Sequence, residues 1–162
     1  MEAAYQPKLW HELYVMLGGA VAALLGLLFV ATSLHVREIV NRADLIARAF
    51  NNTFALVIML VVTAVCLIPQ SVVPLGIEVL ILNLVFAVAA PLHVLPRFLK
   101  LGLPIRRPVM GLLSVLVGAC GGLSLVLEVG GGMYLVTAGL LLIVVQCIFN
   151  AWSLMVEALP SK

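Results

Sequence analysis

Charged residues are scarce in this chain. Only 10% of its 162 residues are Asp, Glu, Lys or Arg, while 64% are hydrophobic; a soluble domain carries roughly a quarter charged residues. With a mean hydropathy of +1.25, this composition excludes a soluble domain and indicates an integral membrane protein. Because each helical span takes about 20 residues, we expect residues 1–162 to form a single transmembrane domain.

The middle third of every predicted span also lacks Asp, Glu, Lys and Arg. Proton-coupled transporters generally need an ionisable relay at that depth, so secondary active transport is disfavoured. Without clustered His, Asp or Glu, or a nucleotide loop, we expect no enzyme, no cofactor and no nucleic-acid partner. Cys66, Cys120 and Cys147 lack metal-ligand spacing, so no metal site and no disulfide are expected. A metal or pH-switch role for His35 and His93 is a minor alternative.

The apolar stretches predict an all-α, polytopic transmembrane bundle. Its five spans cover about residues 13–35, 53–69, 75–95, 108–127 and 133–156. Pro69 and Pro74 divide one long apolar stretch, because proline removes a backbone donor and breaks helices. The short second span leaves alternatives open: a start within residues 43–50, a re-entrant turn at 69–76, or a four-span topology.

Basic residues predict the orientation. Eight of the nine Lys and Arg residues fall on one face of the five-span arrangement, and only Lys8 on the other. Since basic residues near span ends are retained in the cytoplasm, we expect the N-terminus outside and the C-terminus inside a cytoplasmic membrane. Membrane lipids are expected partners, because a basic loop can bind anionic headgroups. Its residues are Arg97, Lys100, Arg106 and Arg107.

Small residues recur on one face of two predicted spans. The first span carries Gly19, Ala23 and Gly26, and the fourth carries Gly111, Gly118 and Gly122. Such faces let a partner backbone approach closely in lipid. They close either the chain's own bundle or a contact between subunits.

Polar residues form one stripe on the fifth span. They are Gln146, Asn150, Ser153 and Glu157. Such a row can line the inner half of a water-filled path or hydrogen-bond between helices. Asn83, a lone amide on the third span, is itself assigned the second role. On the outer side of the membrane, Glu78 and Glu128 are candidates for an acidic mouth of a channel, which would favour cations.

The first helix carries the sequence GGAVAALLGLLFVATSLH over residues 18–35. It resembles the first helix of a group of small bacterial integral membrane proteins of unassigned function, with a GGAxAALxGLLFVAxSLH-like pattern. The resemblance implies a bacterial cytoplasmic membrane and a compact multi-span fold. It assigns no functional residues.

Two functions remain from the sequence. The first is a small homo-oligomeric channel with a preference for cations, which would explain the polar stripe, the acidic residues and the two small-residue faces together. The alternative is a non-catalytic accessory or scaffold subunit of a larger membrane complex, docked through the same faces.

Overall fold

The structure is a computed structural model that describes residues 2–158, without the side chains of residues 2, 38, 107, 154, 155, 157 and 158. The described residues form helices and turns, with no strand among them. Two short 3-10 helices, Glu2–Tyr5 and Pro7–Trp10, come first. They precede α1 (His11–Leu34), α2 (Val36–Val40), α3 (Ala43–Leu67), α4 (Val72–His93), α5 (Leu95–Lys100), α6 (Arg106–Leu127) and α7 (Gly132–Ala158).

Five of these helices, α1, α3, α4, α6 and α7, are long and apolar enough to cross a membrane. The all-α, five-span fold predicted from the sequence is therefore confirmed, and the chain is a multi-pass membrane protein. Because the five helices alternate in direction, the α1–α3 and α4–α6 connections share one end of the bundle, here called the basic end. The α3–α4 and α6–α7 connections share the other, the acidic end.

The helix bounds differ from the predicted spans at two places. α3 begins at Ala43, inside the segment left open, because Asp44, Arg48 and two asparagines are tolerated in its first turns. α4 begins at Val72, which places Pro74 in the first helical turn, where no intrahelical donor is lost. Residues 72–76 are thus helical rather than part of a re-entrant turn.

The core lies between α3 and its neighbours. α3 packs on α1, α4 and α7, and α6 lies between α4 and α7. Met59 of α3 is fully buried, as is Tyr14 of α1. The Tyr14 hydroxyl lies 3.0 Å from Thr137 Oγ1 and joins α1 to α7 near the acidic end. Because α1 packs mainly on α3, it lies at the periphery of the bundle.

The α6–α7 turn requires glycine. Glu128, at φ 53°, ends α6, and Gly130 and Gly131 both have φ 90°, a region that side chains disfavour. The Ser124 hydroxyl donates a hydrogen bond to the Val129 carbonyl oxygen and closes the turn. This tight turn sets α6 and α7 side by side.

Candidate functional site

The small residues of α6 are covered by the chain's own helices. A Cβ on Gly118 would lie 2.6 Å from Asn83 Oδ1 of α4, and one on Gly122 would lie 2.7 Å from the Leu80 backbone nitrogen. On the α7 side, a Cβ on Gly139 would lie 2.9 Å from the Gly118 nitrogen. These distances are shorter than side-chain contacts allow, so the glycines let three helices pack backbone to backbone.

Gln146 belongs to the same packing. A Cβ on Gly111 would lie 3.3 Å from Gln146 Nε2, so the α7 amide lies against the first turns of α6. Since Gly139 contacts Gly118 on the same pair of helices, this face of α7 is directed at α6. The contact matches the role in helix packing that the sequence left open for the stripe.

The rest of the stripe continues toward the basic end. Asn150 and Ser153 are half-buried, and the Glu157 side chain lies outside the described part of the structure. A pore-lining role for these residues stays a prediction.

The small-residue face of α1 differs from that of α6. Cβ atoms built on Gly19 and Gly26 meet nothing within 4 Å in the described chain, and Ala23 between them is exposed. The buried face of α1, with Leu17 and Val21, is directed at α3. One of the two predicted small-residue faces is thus used inside the bundle, and the other is open to the bilayer.

Glu78 and Glu128 are both exposed at the acidic end. The Glu78 carboxylate of α4 accepts a hydrogen bond at 2.7 Å from Nε2 of Gln70, in the α3–α4 connection. This bond holds the carboxylate against that connection. An acidic mouth would further require copies of the chain around an axis.

The basic end carries the cationic loop between α4 and α6. Arg97 lies 4.6 Å above the Phe50 ring of α3, and Lys100 and Arg106 are exposed; the Arg107 side chain is not described. Phe98 of α5 is buried and anchors the loop. The contact of the exposed cations with lipid headgroups stays a prediction.

Histidines and cysteines are dispersed. Among the side chains that the structure describes, no three His, Cys, Asp or Glu residues lie close enough together to hold a metal ion. His35 Nδ1 is 3.1 Å from the Ala31 carbonyl of its own helix, and His93 is exposed. The three thiols are free, with Cys66 and Cys147 buried and Cys120 exposed.

Two sites inside the bundle were not predicted. A water-sized cavity of about 10 Å³ lies beside Asn83, Ser114 and Gly118. A larger cavity of about 180 Å³ lies between α1, α3 and α7 and is lined by Asn52. Asn52 lies one residue before the predicted second span, so the sequence pattern does not assign it to the interior of the bundle.

Comparison with known proteins found no matching family model, no matching curated protein and no matching solved structure.

Proposed function

We propose that the protein is a non-catalytic membrane subunit that assembles with another transmembrane helix through the open face of α1. The observation that carries this proposal is the contrast between the two small-residue faces. Gly118 and Gly122 are in close contact with neighbouring helices, whereas Cβ atoms on Gly19 and Gly26 would meet nothing within 4 Å among the described residues. The role is that of an accessory or scaffold subunit in a membrane complex.

A physical reason supports reading the open face as an interface. Glycine inside a helix destabilises the helix by about 0.5–1 kcal/mol relative to alanine. Among the described residues, Gly19 and Gly26 have no close neighbour whose packing would offset this loss. In lipid, where hydrocarbon tails remove the hydrophobic drive between helices, small residues allow the close packing that replaces it. A second helix seated on α1 would supply that gain.

Matched alanine substitutions test the interface. Ala23 of α1 and Ala64 of α3 are both exposed, so the same Ala→Leu change can be made inside and outside the proposed contact. We expect A23L to lower the assembled fraction in nanodiscs or mild detergent, and A64L to leave it unchanged. Equal behaviour of the two variants would contradict the interface.

A channel is the second candidate. It is favoured by Gln146, Asn150 and Ser153, which run half-buried along α7 toward the basic end, and by the exposed acidic residues at the opposite end. Conduction would need several copies around an axis, since a bundle of this size has little room for its own pore. Q146L and N150L should then change conductance; if the two residues only join helices, they should change assembly or stability instead.

The membrane and orientation belong to the same proposal. The bacterial-type first helix and the positions of Lys and Arg support a cytoplasmic membrane with the basic end inside the cell. The exposed Arg97, Lys100 and Arg106 would then meet anionic headgroups, at about 1 kcal/mol per residue.

A further inference from the structure

The cavity of about 180 Å³ between α1, α3 and α7 is a cleft in the side of the bundle. Tyr14 joins α1 to α7 near the acidic end, and the cleft lies further toward the basic end. Its aliphatic and small residues are Leu24, Leu27, Leu28 and Ala31 of α1, Leu56 of α3, and Cys147 and Ala151 of α7. Because Leu27 is 65% exposed, a molecule dissolved in the bilayer can enter the cleft sideways.

One buried amide lies among these apolar residues. Asn52 of α3 lines the cleft and is 2% exposed. Its Oδ1 is sealed inside the protein, whereas its Nδ2 is not. The Asn52 side chain makes no hydrogen bond to another described residue. A ligand in the cleft therefore meets the donor side of this amide, whose N–H groups have no acceptor within the described chain.

Water fits this site poorly. A buried water typically makes two to four hydrogen bonds to polar groups. Among the described residues that line the cleft, Asn52 is the one whose side chain carries an N–H or O–H group. The volume corresponds to roughly six groups of water size, at about 30 Å³ each, and nearly all of them would lie against hydrocarbon. An apolar molecule with one polar group suits the cleft better.

The lining also restricts that polar group. An N–H group binds an acceptor, so the ligand has to offer an oxygen lone pair to Asn52. No Lys, Arg or His is found among the described residues that line the cleft, so a carboxylate or phosphate would be buried there without a counter-charge. A hydroxyl could accept the bond, but its own proton would lack an acceptor, because Asn52 Oδ1 is sealed. An uncharged carbonyl oxygen meets both conditions.

The depth of Asn52 favours a lipid without a charged headgroup. α3 has 25 residues and is about 38 Å long at 1.5 Å per residue, so a centred α3 extends about 4 Å beyond a hydrocarbon layer of about 30 Å at each end. Asn52, about nine residues after Ala43, then lies about 10 Å inside the hydrocarbon. A phospholipid with a carbonyl at that depth would draw its charged headgroup out of the interface, which is costly.

We propose that this cleft binds an uncharged, carbonyl-bearing lipid, whose carbonyl oxygen accepts a hydrogen bond from Asn52 Nδ2. Lipid quinones and neutral fatty esters share this chemistry. The site goes beyond the proposed function, since on the helical repeat of α1 Leu24 and Leu28 lie roughly opposite Gly19 and Gly26. A partner helix on the small-residue face would leave the cleft open.

Photolabelling tests the proposal on the purified full chain in nanodiscs. The probes are a long-chain methyl ketone, the corresponding alcohol and the corresponding hydrocarbon, each with the same alkyl diazirine, and labelled positions are mapped by mass spectrometry. Labelling of α1 at residues 24–31 is normalised to the lipid-facing residues of α4, which include Ile81, Val85 and Val88. We expect the ketone to label the cleft about fivefold more than the hydrocarbon does, the size expected for one net hydrogen bond, and more than the alcohol does.

Competition identifies the source of the carbonyl. The unlabelled competitors are a decyl-substituted benzoquinone and methyl hexadecanoate, each added to the native chain with the ketone probe. The stronger competitor shows whether the cleft takes a quinone or a neutral ester. If neither competitor lowers labelling of the cleft by the ketone, the proposal is overturned.

Three variants complete the test. N52L removes the donor and should reduce labelling by the ketone to that of the hydrocarbon, whereas N51L, at the half-buried neighbour, should retain the preference. A151F fills the cleft while Asn52 remains, and should remove the preference for the ketone; it decides the question if N52L does not fold. Equal normalised labelling of the native chain by ketone and hydrocarbon, or an undiminished preference in A151F, would overturn the proposal.

Discussion

Gly76 of α4 and Gly122 of α6 lie face to face. A Cβ on Gly76 would be 2.9 Å from the Gly122 carbonyl oxygen, and one on Gly122 would be 3.0 Å from the Gly76 carbonyl oxygen. The two backbones are in direct contact, which is the geometry that small residues permit between membrane helices. α1 has small residues of the same kind, Gly19 and Gly26, and no helix of the described part of the chain lies against them.

Replacing Gly122 by alanine should destabilise the bundle. The added methyl would meet the Leu80 backbone at 2.7 Å, and since backbone cannot rotate away, α4 and α6 must separate. We expect a loss of about 1–3 kcal/mol, the usual cost of overpacking. Unfolding by SDS titration of the protein in mixed micelles measures it.

Gly26→Ala is the matched control for that variant. In SDS mixed micelles, which separate the chain from the proposed partner helix, its methyl would meet nothing within 4 Å among the described residues, and alanine favours the helix by up to about 1 kcal/mol over glycine. The unfolding free energy of G26A should be equal to or above that of the native chain. Similar losses in G26A and G122A would contradict the assignment of the two faces.

Asn83 and Gly118 should be energetically coupled. A methyl on Gly118 would lie 2.6 Å from Asn83 Oδ1, while Asn83 Nδ2 donates to the Val79 carbonyl at 2.8 Å, so the amide is held in place. G118A should therefore be destabilising alone and milder in the N83A background, with a coupling of about 0.5–3 kcal/mol. A double-mutant cycle on unfolding free energy measures it, and strict additivity would show that the amide does not fill the space above Gly118.

The hydroxyl of Tyr14 should contribute modestly to holding α1. It lies 3.0 Å from Thr137 Oγ1 in the buried contact with α7. Hydrogen bonds between membrane helices average about 0.6 kcal/mol, so Y14F should lose that order of stability in SDS titration. Y134F is the control, because Tyr134 is exposed and its ring contact with Trp10 does not use the hydroxyl.

Much of the fold could be predicted because apolar length alone identifies a span. The exceptions have physical causes. The predicted second span begins at residue 53, later than α3 does, because Asp44, Asn51 and Asn52 are polar. The helix nevertheless continues through these three residues. Pro74 was assigned to the turn because proline breaks helices, yet it is tolerated in the first turn of α4.

The site was less predictable because helical periodicity shows which residues share a face and not what covers it. Gly118 and Gly26 give the same sequence signal, and only the tertiary packing shows that the first is covered and the second is open. The sequence pattern places Asn52 outside the predicted spans, and only the packing of α1, α3 and α7 shows that it is buried beside a cavity. The sequence groups Gln146 with other polar residues on one face of α7, and only the packing of α6 shows that Gln146 lies against Gly111.

Orientation is a further prediction. The basic residues of the α1–α3 and α4–α6 connections predict that the basic end, with the C-terminus, lies in the cytoplasm. A C-terminal green fluorescent protein fusion should be fluorescent in a bacterial host, and a C-terminal alkaline phosphatase fusion should be inactive. The reverse pair of results would invert the topology and remove the proposed contact of Arg97 and Lys100 with cytoplasmic lipid headgroups.

The native mass of the protein in nanodiscs, compared between the native chain and A23L, tests the central proposal most directly. We predict that the native chain runs as a defined assembly, with its own copies or with a co-purified membrane protein, and that A23L shifts it toward the single chain of 17.3 kDa. A homomeric ring of four or more would direct the next experiments to conductance. A native chain that is monomeric and without a co-purified protein would contradict the proposed role of the α1 face.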